Sequence, residues 1–549
     1  MSAHTMLFAG TFLVAYVIAF SLIIIPTFIM EVTIGQYIQR GAMEVWVICP
    51  LFKGVGIGNV VLSFMCCSYY CVIVAWAIYY MISSFAATFP WENCDNWWNT
   101  IQCITTKQNS NLTIVQELNS NLSGVGLQTE TSVQQFWERR VLKQSDTFFE
   151  FGGLQLELLG LLFLAWFIVY IALRKGITKA RKFVYFCAFS PYVLLIVLLI
   201  RALTLPGAGK GLSYYFTPNF TKLVETTVWR DAGTQVLYSY GVGYGTLTAL
   251  GSHNSFNQNC FRDSFITCAI NGGTSILAGV GLVFQAYPEV ASNLPVKQVW
   301  AVLFFFMIVI LGLDTQVCIL EGFFTALEDT FPAIRRFKSV SLAITCFIFF
   351  IIGIPMVSQA GSYWLTLFDA YGASGIALLF VVFFEVIGLA WGFGAKNIRN
   401  ALKEMISLNM SIVWDIFWKF LTPISVAVLF IVCIVKYEPL RYPTGENFPS
   451  SAEIIGFILA LCSMIVVPAF MVYYLLFRDK KGTLKERVIR GFKAPPHLRT
   501  GRPTTTRVAD IGMEPKFGVI SAFGSTNDLK HQEKFPAIAI NERDIGVHA

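Results

Sequence analysis

The chain has 549 residues, of which 55% are hydrophobic and only 13% are charged. Its mean hydropathy of +0.62 lies far outside the range of water-soluble globular proteins. These values exclude a soluble globular protein. The formal net charge of +7 belongs to loops and a tail, so it does not indicate a nucleic-acid-binding surface.

Long apolar runs recur along the whole chain. A helix needs about 20 apolar residues to cross a hydrocarbon core of roughly 30 Å. The runs therefore predict an all-α membrane protein with about eleven transmembrane helices. They lie near 12–33, 57–88, 155–173, 183–203, 232–256, 264–286, 298–327, 339–358, 366–393, 413–436 and 452–477.

Basic residues give the orientation of these helices. They cluster in 174–182, 335–338, 396–403 and 478–481, which all fall on one side of the membrane if the helices alternate. Positively charged loops stay in the cytoplasm during insertion. We therefore expect a multi-pass protein of the plasma membrane with a cytoplasmic C-terminus. Its parts are an extracellular stub (1–11), a transmembrane domain (12–478) and a basic, largely disordered cytoplasmic tail (479–549).

The loop 89–150 is expected on the extracellular side. It carries two N-glycosylation sequons, at Asn111 and Asn121, and a close cysteine pair, Cys94 and Cys103. Glycans and disulfides both belong to that side of the membrane. This agrees with the orientation that the charged loops predict.

Asp314 is the clearest ionisable residue inside a predicted helix, in the run AVLFFFMIVILGLDTQVCIL. A charge in hydrocarbon is costly, so such a residue is a candidate for function. The Leu311 carbonyl, the Asp314 carboxylate and the Thr315 hydroxyl share one helix face and could bind a small hard cation. The alternative is a hydrogen bond from Asp314 to a neighbouring helix.

The fifth predicted helix contains Gly241, Gly243 and Gly245. Each glycine in a helix interior costs about 1 kcal/mol relative to alanine, which favours an unwound stretch at mid-membrane depth. Such a stretch is tolerated where it is buried in protein or lines a cavity. The alternative is that the glycines allow close helix packing.

Two pairs of neutral polar residues lie on the fifth and sixth predicted helices. Gln235 and Ser239 are four residues apart, and so are Asn271 and Ser275, so each pair shares one helix face. Two adjacent helices would each present an amide and a hydroxyl, which suit an ion.

Several longer stretches resemble one known family. They are GQYIQRG (35–41), FKGVGIG (52–58), SYYCVIVAWAIYY (68–80), PWENCDNWWNT (90–100), SYGVGYGTLTALGSHNSFNQNCFRDS (239–264), GLDTQVCILEGFFTALEDTFP (312–332) and FDAYGASG (368–375). Together they resemble the sodium- and chloride-coupled neurotransmitter transporters, in particular the γ-aminobutyric acid transporter branch. The resemblance implies an inverted-repeat secondary transporter fold, for which broken helices at the binding site are an established feature.

The resemblance also implies ligand sets for the coupling ions Na+ and Cl−. One sodium ion would be held by Ser239 and Asn271, and the other by Leu311, Asp314 and Thr315. Chloride would be held by a set of neutral donors, namely Tyr16, Gln235, Ser239 and Ser275. The disulfide and sequons of the long loop fit the same family.

By the same resemblance, a small amino-acid-like substrate would sit beside the unwound glycines, against Tyr70, Tyr238, Gly241, Tyr244 and Gln316. Tyr244 is bulkier than the residue expected in γ-aminobutyric acid carriers. Asp369 resembles an outer gate carboxylate and Asp329 an inner one, each normally paired with an arginine.

The chain departs from the family at two places. Relatives have twelve transmembrane helices and begin with a broken helix that supplies ligands, whereas MSAHTMLFAG leads almost at once into the family's second helix. After Ser275, roughly two dozen residues that the family has between its seventh and eighth helices are absent from this sequence. We therefore expect either a symporter of γ-aminobutyric acid, taurine, betaine or a similar compound, or a transport-inactive chain that associates with full-length copies.

Other functions are less well supported by the sequence. A nucleophile, base or metal cluster typical of an enzyme does not stand out, so an enzyme is not expected. A channel lined by the glycines and Asp314 is a third alternative, but paired ion ligands on separate helices favour occluded binding. The partners expected are the substrate, membrane lipid and further copies of the chain, without nucleic acid.

Overall fold

The computed structural model describes residues 9–105, 108, 129–174, 181–204, 208–283, 296–442 and 445–493. The sequons at Asn111 and Asn121 lie outside the described residues, as does the tail from residue 494 onward. Within the described part of the chain the structure is almost entirely helical, with one pair of two-residue strands.

The helices of the first half follow one another with short connections. They are α1 (Ala9–Ala19), α2 (Ile25–Ile38), α3 (Lys53–Ser83), α4 (Ser132–Gln135), α5 (Leu156–Leu173), α6 (Arg181–Leu203), α7 (Ala208–Phe216), α8 (Thr226–Tyr240), α9 (Thr246–Ser252) and α10 (Cys260–Val283). Short 3-10 turns cover Glu44–Ile48, Pro50–Phe52 and Phe220–Val224. Wider π-helical turns cover Phe20–Ile24 and Phe136–Val141.

The second half has the same character. Its helices are α11 (Lys297–Thr330), α12 (Pro332–Arg336), α13 (Lys338–Gly353), α14 (Gly361–Leu367), α15 (Gly375–Ile387), α16 (Ala395–Ile406), α17 (Val413–Ile416), α18 (Thr422–Val435), α19 (Ser450–Met464), α20 (Val466–Tyr473) and α21 (Leu484–Phe492). A 3-10 turn covers Ile354–Val357. Further π-helical turns lie at Phe368–Ala373, Gly388–Gly394, Phe417–Leu421 and Tyr474–Arg478.

Eight helices among the described residues are long and apolar enough to cross a membrane. They are Gly10–Ile38, Pro50–Ser83, Leu156–Leu173, Lys297–Thr330, Lys338–Val357, Gly361–Ile406, Val413–Val435 and Ser450–Arg478. The other three predicted segments are also helical, as α6, as the broken pair α8 and α9, and as α10. The predicted all-α membrane fold is thereby confirmed.

Two predicted boundaries differ from the structure. The first helix begins by Ala9, inside the predicted stub, because the apolar run already starts there. Within the predicted tail, α21 is helical and begins with a capping box in which Thr483 and Glu486 exchange side-chain and backbone hydrogen bonds. Such a box satisfies two amide groups that a helix start otherwise leaves without partners.

The lipid-facing side of the bundle is visible in α5. Phe163 and Phe167 stack on each other and are exposed, whereas Leu162 and Trp166, which precede them by one position each, are buried. A helix that is apolar all round is typical of a membrane span, because both lipid and protein accept apolar side chains. Burial in this fold therefore reports helix contacts rather than hydrophobicity.

Two glycines bring α2 and α9 into backbone contact. A Cβ atom built on Gly35 would lie 2.1 Å from the Thr248 carbonyl oxygen, and one built on Gly251 would lie 2.6 Å from the Val32 carbonyl oxygen. Small residues permit this approach between membrane helices. The packing holds α9 against α2 and so positions the chain break that precedes α9.

The loop that follows α3 is tied together by the predicted disulfide. Cys94 and Cys103 are bonded, with an S–S distance of 2.05 Å, and the strand Cys103–Ile104 pairs with Glu130–Thr131. In the same loop the rings of Phe89 and Trp91 stack on each other, with their centroids 4.9 Å apart. The pairing of Cys94 with Cys103 is confirmed.

Replacing Gly35 with alanine should destabilise the protein, because the new methyl group would overlap a backbone carbonyl that cannot rotate away. Overpacking of this kind costs roughly 1–3 kcal/mol. Gly160→Ala is the matched control, since Gly160 on α5 has no heavy atom within 4 Å of its added Cβ. The measurement is the thermal unfolding midpoint of each detergent-solubilised variant. Equal midpoints for the two variants would contradict the predicted backbone contact.

Candidate functional site

The centre of the site is the unwound stretch between α8 and α9. Gly241, Gly243 and Gly245 have φ angles of 63°, 83° and 71°, a left-handed conformation that L side chains adopt only with strain. The glycines thus end one helix and start another, as the helix propensities predict. Residues 241–245 leave backbone amides and carbonyls without helical partners in the membrane interior.

Side chains from two neighbouring helices take up these backbone groups. The Glu31 Oε1 atom of α2 accepts a hydrogen bond from the Gly243 amide at 2.9 Å. The Ser63 hydroxyl of α3 donates to the Tyr244 carbonyl at 2.7 Å. With its amide nitrogen turned toward the break, Asn59 donates to the Gly243 carbonyl at 3.0 Å. The unwound stretch is therefore held by α2 and α3 rather than by its own helix.

Glu31 and Glu385 are buried carboxyl residues that the sequence prediction did not single out. Both are buried, with exposed fractions of 0% and 2%, and each interrupts an apolar helix. The criterion that singles out Asp314, an ionisable residue in an apolar run, applies equally to them. It would have found both.

A group of tyrosines and one carboxylate lies beside the break. Tyr69 donates its hydroxyl hydrogen bond to Asp369 Oδ1 at 2.6 Å, and its hydroxyl lies 3.0 Å from that of Tyr238. Tyr244 is 3% exposed, and its hydroxyl donates to the Ala373 carbonyl. The structure thus brings Tyr238, Tyr244 and Asp369 together, with Tyr69 as a member that the sequence did not indicate.

Asp369 therefore has a tyrosine as its hydrogen-bond partner, at a position where the family resemblance implies an arginine supplied by a helix that this sequence does not contain. Asp329, the predicted inner gate residue, accepts a hydrogen bond from the Gly41 amide at 2.7 Å. Asp329 thus links the end of α11 to the turn after α2. Asp369 links the turn between α14 and α15 to α3.

The predicted cation face of α11 is formed as the helical spacing predicts, but with an internal hydrogen bond. Thr315 donates to the Leu311 carbonyl at 3.0 Å. The Asp314 Oδ1 atom is buried and has no hydrogen-bond partner among the described residues. The Tyr70 hydroxyl has Thr315 and Asp314 among its electrostatic neighbours. The Tyr70 hydroxyl of α3 thus lies near this face of α11, where one oxygen atom of Asp314 has no hydrogen-bond partner among the described residues.

The predicted residues on α8 and α10 are partly joined. The Asn271 amide donates to the Ser239 carbonyl at 3.4 Å. Gln235 and Ser239 are exposed and Ser275 is half-buried. Hydrogen bonds between the described residues do not connect Gln235 or Ser275 to this pair.

Two further predicted residues are buried with unpartnered polar atoms. The Tyr16 hydroxyl of α1 is buried and finds no hydrogen-bond partner in the described chain, and neither amide atom of Gln316 finds one there. Tyr240 and Tyr215 are electrostatic neighbours of Tyr16. Buried polar groups normally have partners, so these atoms are open to a ligand.

Comparison with known proteins gives a consistent result. A model of the "Sodium:neurotransmitter symporter family" matches residues 8–281 and 278–478. The chain belongs to this family. It is 58% identical over 507 residues to a sodium- and chloride-dependent betaine transporter of Caenorhabditis elegans, covering 88% of this chain and 84% of the relative.

Relatives at lower identity are named for other substrates. The chain is 38% identical over 508 residues to the sodium- and chloride-dependent GABA transporter 2 of Rattus norvegicus, covering 87% of this chain and 83% of the relative. It is 38% identical over 506 residues to the sodium- and chloride-dependent creatine transporter 1 of Bos taurus, covering 87% and 79%. These relatives are transporters and not enzymes, and the family resemblance seen in the sequence is confirmed.

Removing the Glu31 carboxyl should destabilise the unwound stretch, because the buried Gly243 amide would lose its acceptor. An unmade buried hydrogen bond costs about 1–3 kcal/mol. Glu31→Ala should therefore lower the thermal unfolding midpoint, and Glu31→Gln, which keeps an oxygen acceptor, should recover much of the loss. Glu44→Ala, which removes a partly exposed partner of Lys53, is the control. A midpoint for Glu31→Ala equal to that of the control would contradict this role.

Proposed function

We propose that the chain is a sodium- and chloride-coupled symporter of a small zwitterionic amino acid or osmolyte, with betaine as the favoured substrate. The observation that carries the proposal is the unwound stretch 241–245, with the unpartnered Asp314 carboxylate among the residues of the same proposed site. A helix broken at mid-membrane depth offers its backbone to a substrate, and a buried carboxylate offers a site for a cation.

The sodium ions would be held by two oxygen-rich sets. One set is Ser239 and Asn271, which are already in contact. The other is Leu311, Asp314 and Thr315 on one face of α11. Sodium is a hard cation and prefers such oxygen ligands, as calcium and magnesium do. Binding would give the Asp314 Oδ1 atom the partner that it lacks among the described residues.

Chloride would be held by Tyr16, Gln235, Ser239 and Ser275. These side chains are neutral hydrogen-bond donors, which bind an anion without the strong attraction that a cationic residue would add. The unpartnered Tyr16 hydroxyl supports this assignment. Weak, neutral coordination suits an ion that must also be released on the other side of the membrane.

The substrate would lie against the unwound stretch, in contact with Tyr70, Tyr238, Gly241, Tyr244 and Gln316. Tyrosine rings attract cations, and aromatic cages recognise quaternary ammonium groups. Betaine combines such a group with a carboxylate, which the Tyr70 hydroxyl could bind. The tyrosine group beside Asp369 and the identity to a betaine transporter together support betaine over a primary amine.

The ion gradients would drive accumulation. Each sodium ion that crosses a tenfold gradient yields about 1.4 kcal/mol, and each net positive charge adds about 2.3 kcal/mol per 100 mV. Asp369 and Asp329 would serve as outer and inner gate carboxylates during alternating access. The chain would work in the plasma membrane with its C-terminus in the cytoplasm.

A second candidate function is a transport-inactive chain that associates with other copies. The observation that favours it is the exposure of proposed ligands: Leu311 is 45% exposed, and Thr315 and Ser239 are also exposed. A second copy could cover this face. The uptake experiment below separates the two functions.

Cells that express the chain should accumulate labelled betaine in a sodium- and chloride-dependent manner. The assay compares betaine, γ-aminobutyric acid, taurine, creatine and glycine, with sodium and chloride replaced in turn, and normalises uptake to surface-labelled protein. Betaine should show the lowest KM. Protein at the cell surface without ion-dependent uptake of any of these compounds would refute the symporter and leave the second candidate function.

Asp314→Asn should impair sodium coupling, because it removes the only charge from the proposed α11 set while keeping the side-chain shape. We expect the half-saturating sodium concentration to rise at least about tenfold, or uptake to vanish. Asp263→Asn is the control, since Asp263 pairs with Arg262 near the start of α10 and is partly exposed. An unchanged sodium dependence in Asp314→Asn would rule out this residue as a sodium ligand.

A further inference from the structure

Within the helix Gly10–Ile38, regular α-helical hydrogen bonding is interrupted where α1 passes into α2, and this interruption is called the break. A π-helical turn at Phe20–Ile24 is followed by Pro26 in the first turn of α2. Proline has no N–H group, so the Leu22 carbonyl cannot receive the hydrogen bond that an α-helix would supply. A buried carbonyl needs another partner.

Another segment of the chain donates a hydrogen bond to the Leu22 carbonyl and a second hydrogen bond to the Pro26 carbonyl. The Thr422 hydroxyl donates to the Leu22 carbonyl at 2.8 Å, and the Trp418 indole N–H donates to the Pro26 carbonyl at 3.0 Å. Both side chains have an exposed fraction of 0%. They are four residues apart and therefore on one face of their own helical segment.

The remaining hydroxyl groups near the break serve other carbonyls. Ser21 donates to the Val17 carbonyl at 2.9 Å, and Thr27 donates to the Ile23 carbonyl at 2.7 Å. The helix's own side chains are thus already engaged. The two donors that reach the break from outside its own helix are Trp418 and Thr422.

The two sides of this break carry different parts of the site. Tyr16, on α1, is the proposed chloride donor, and Glu31, on α2, binds the Gly243 amide of the unwound stretch. The backbone of the break therefore connects the part of the helix that carries Tyr16 to the part that binds residues 241–245.

We propose that Thr422 and Trp418 are positioning residues that hold the chloride donor Tyr16 in register with the unwound stretch. They touch neither ion nor substrate and act through the backbone of the break. The part of this inference that concerns chloride rests on the proposed function. The part that concerns the geometry of the break does not.

The first test compares Thr422→Val, which keeps the side-chain shape but removes the donor, with Thr422→Ser, which keeps the hydroxyl. Thr422→Val should raise the half-saturating chloride concentration for uptake by about fivefold to tenfold, and Thr422→Ser should stay close to the wild type. A merely structural role would reduce surface protein and maximal uptake without changing the chloride dependence. That result would overturn the proposal. Trp418→Phe repeats the test if Thr422→Val does not reach the surface.

The second test does not require transport. Amide hydrogen exchange is measured by mass spectrometry on the purified full-length chain in detergent. Peptides that cover 17–30 and 241–245 should exchange faster in Thr422→Val than in the wild type or Thr422→Ser. Unchanged exchange would overturn the positioning role even if the wild type transports. The wild type could lack ion-dependent uptake while Thr422→Val still exchanges faster than the wild type. That result would support the positioning role and refute the proposed function.

Discussion

Backbone groups that leave a helix inside a membrane must find partners in the protein, and the site of this chain is organised around that requirement. Gly241, Gly243 and Gly245 adopt left-handed conformations, which interrupt the helical hydrogen bonding between α8 and α9. Water is not available at this depth. Glu31 and Ser63 therefore take up the amide of Gly243 and the carbonyl of Tyr244. These two hydrogen bonds hold α2 and α3 against the unwound stretch.

The same requirement explains other irregular points in the bundle. At Pro26 the missing N–H is compensated by the Thr422 hydroxyl, which donates to the Leu22 carbonyl, and Trp418 donates to the Pro26 carbonyl next to it. At the π-helical turn Phe368–Ala373, the Ala373 carbonyl accepts from Tyr244. Each of these irregular points is thus stabilised by a hydrogen bond from a distant segment of the chain.

The satisfied groups and the unsatisfied ones have different roles. Several backbone atoms of the breaks are paired within the protein, whereas Asp314 Oδ1, the Tyr16 hydroxyl and the Gln316 amide are buried side-chain atoms without partners in the described chain. Leaving such atoms unpaired costs free energy. A cation, an anion and a polar substrate would remove that cost in a sodium:neurotransmitter symporter, and their release would restore it.

The amino-acid sequence by itself determined the all-α membrane class, the eleven helical segments, the break at Gly241 to Gly245 and the cysteine pair. These depend on apolar run length, glycine propensity and local spacing, which are properties of neighbouring residues. Only the tertiary structure decided that Tyr69 binds Asp369, that Glu31 holds Gly243 and that Thr422 caps Leu22. Those partners are 300, 212 and 400 residues apart. Which distant donor meets which carbonyl depends on how the helices pack, and a local pattern contains no information about that.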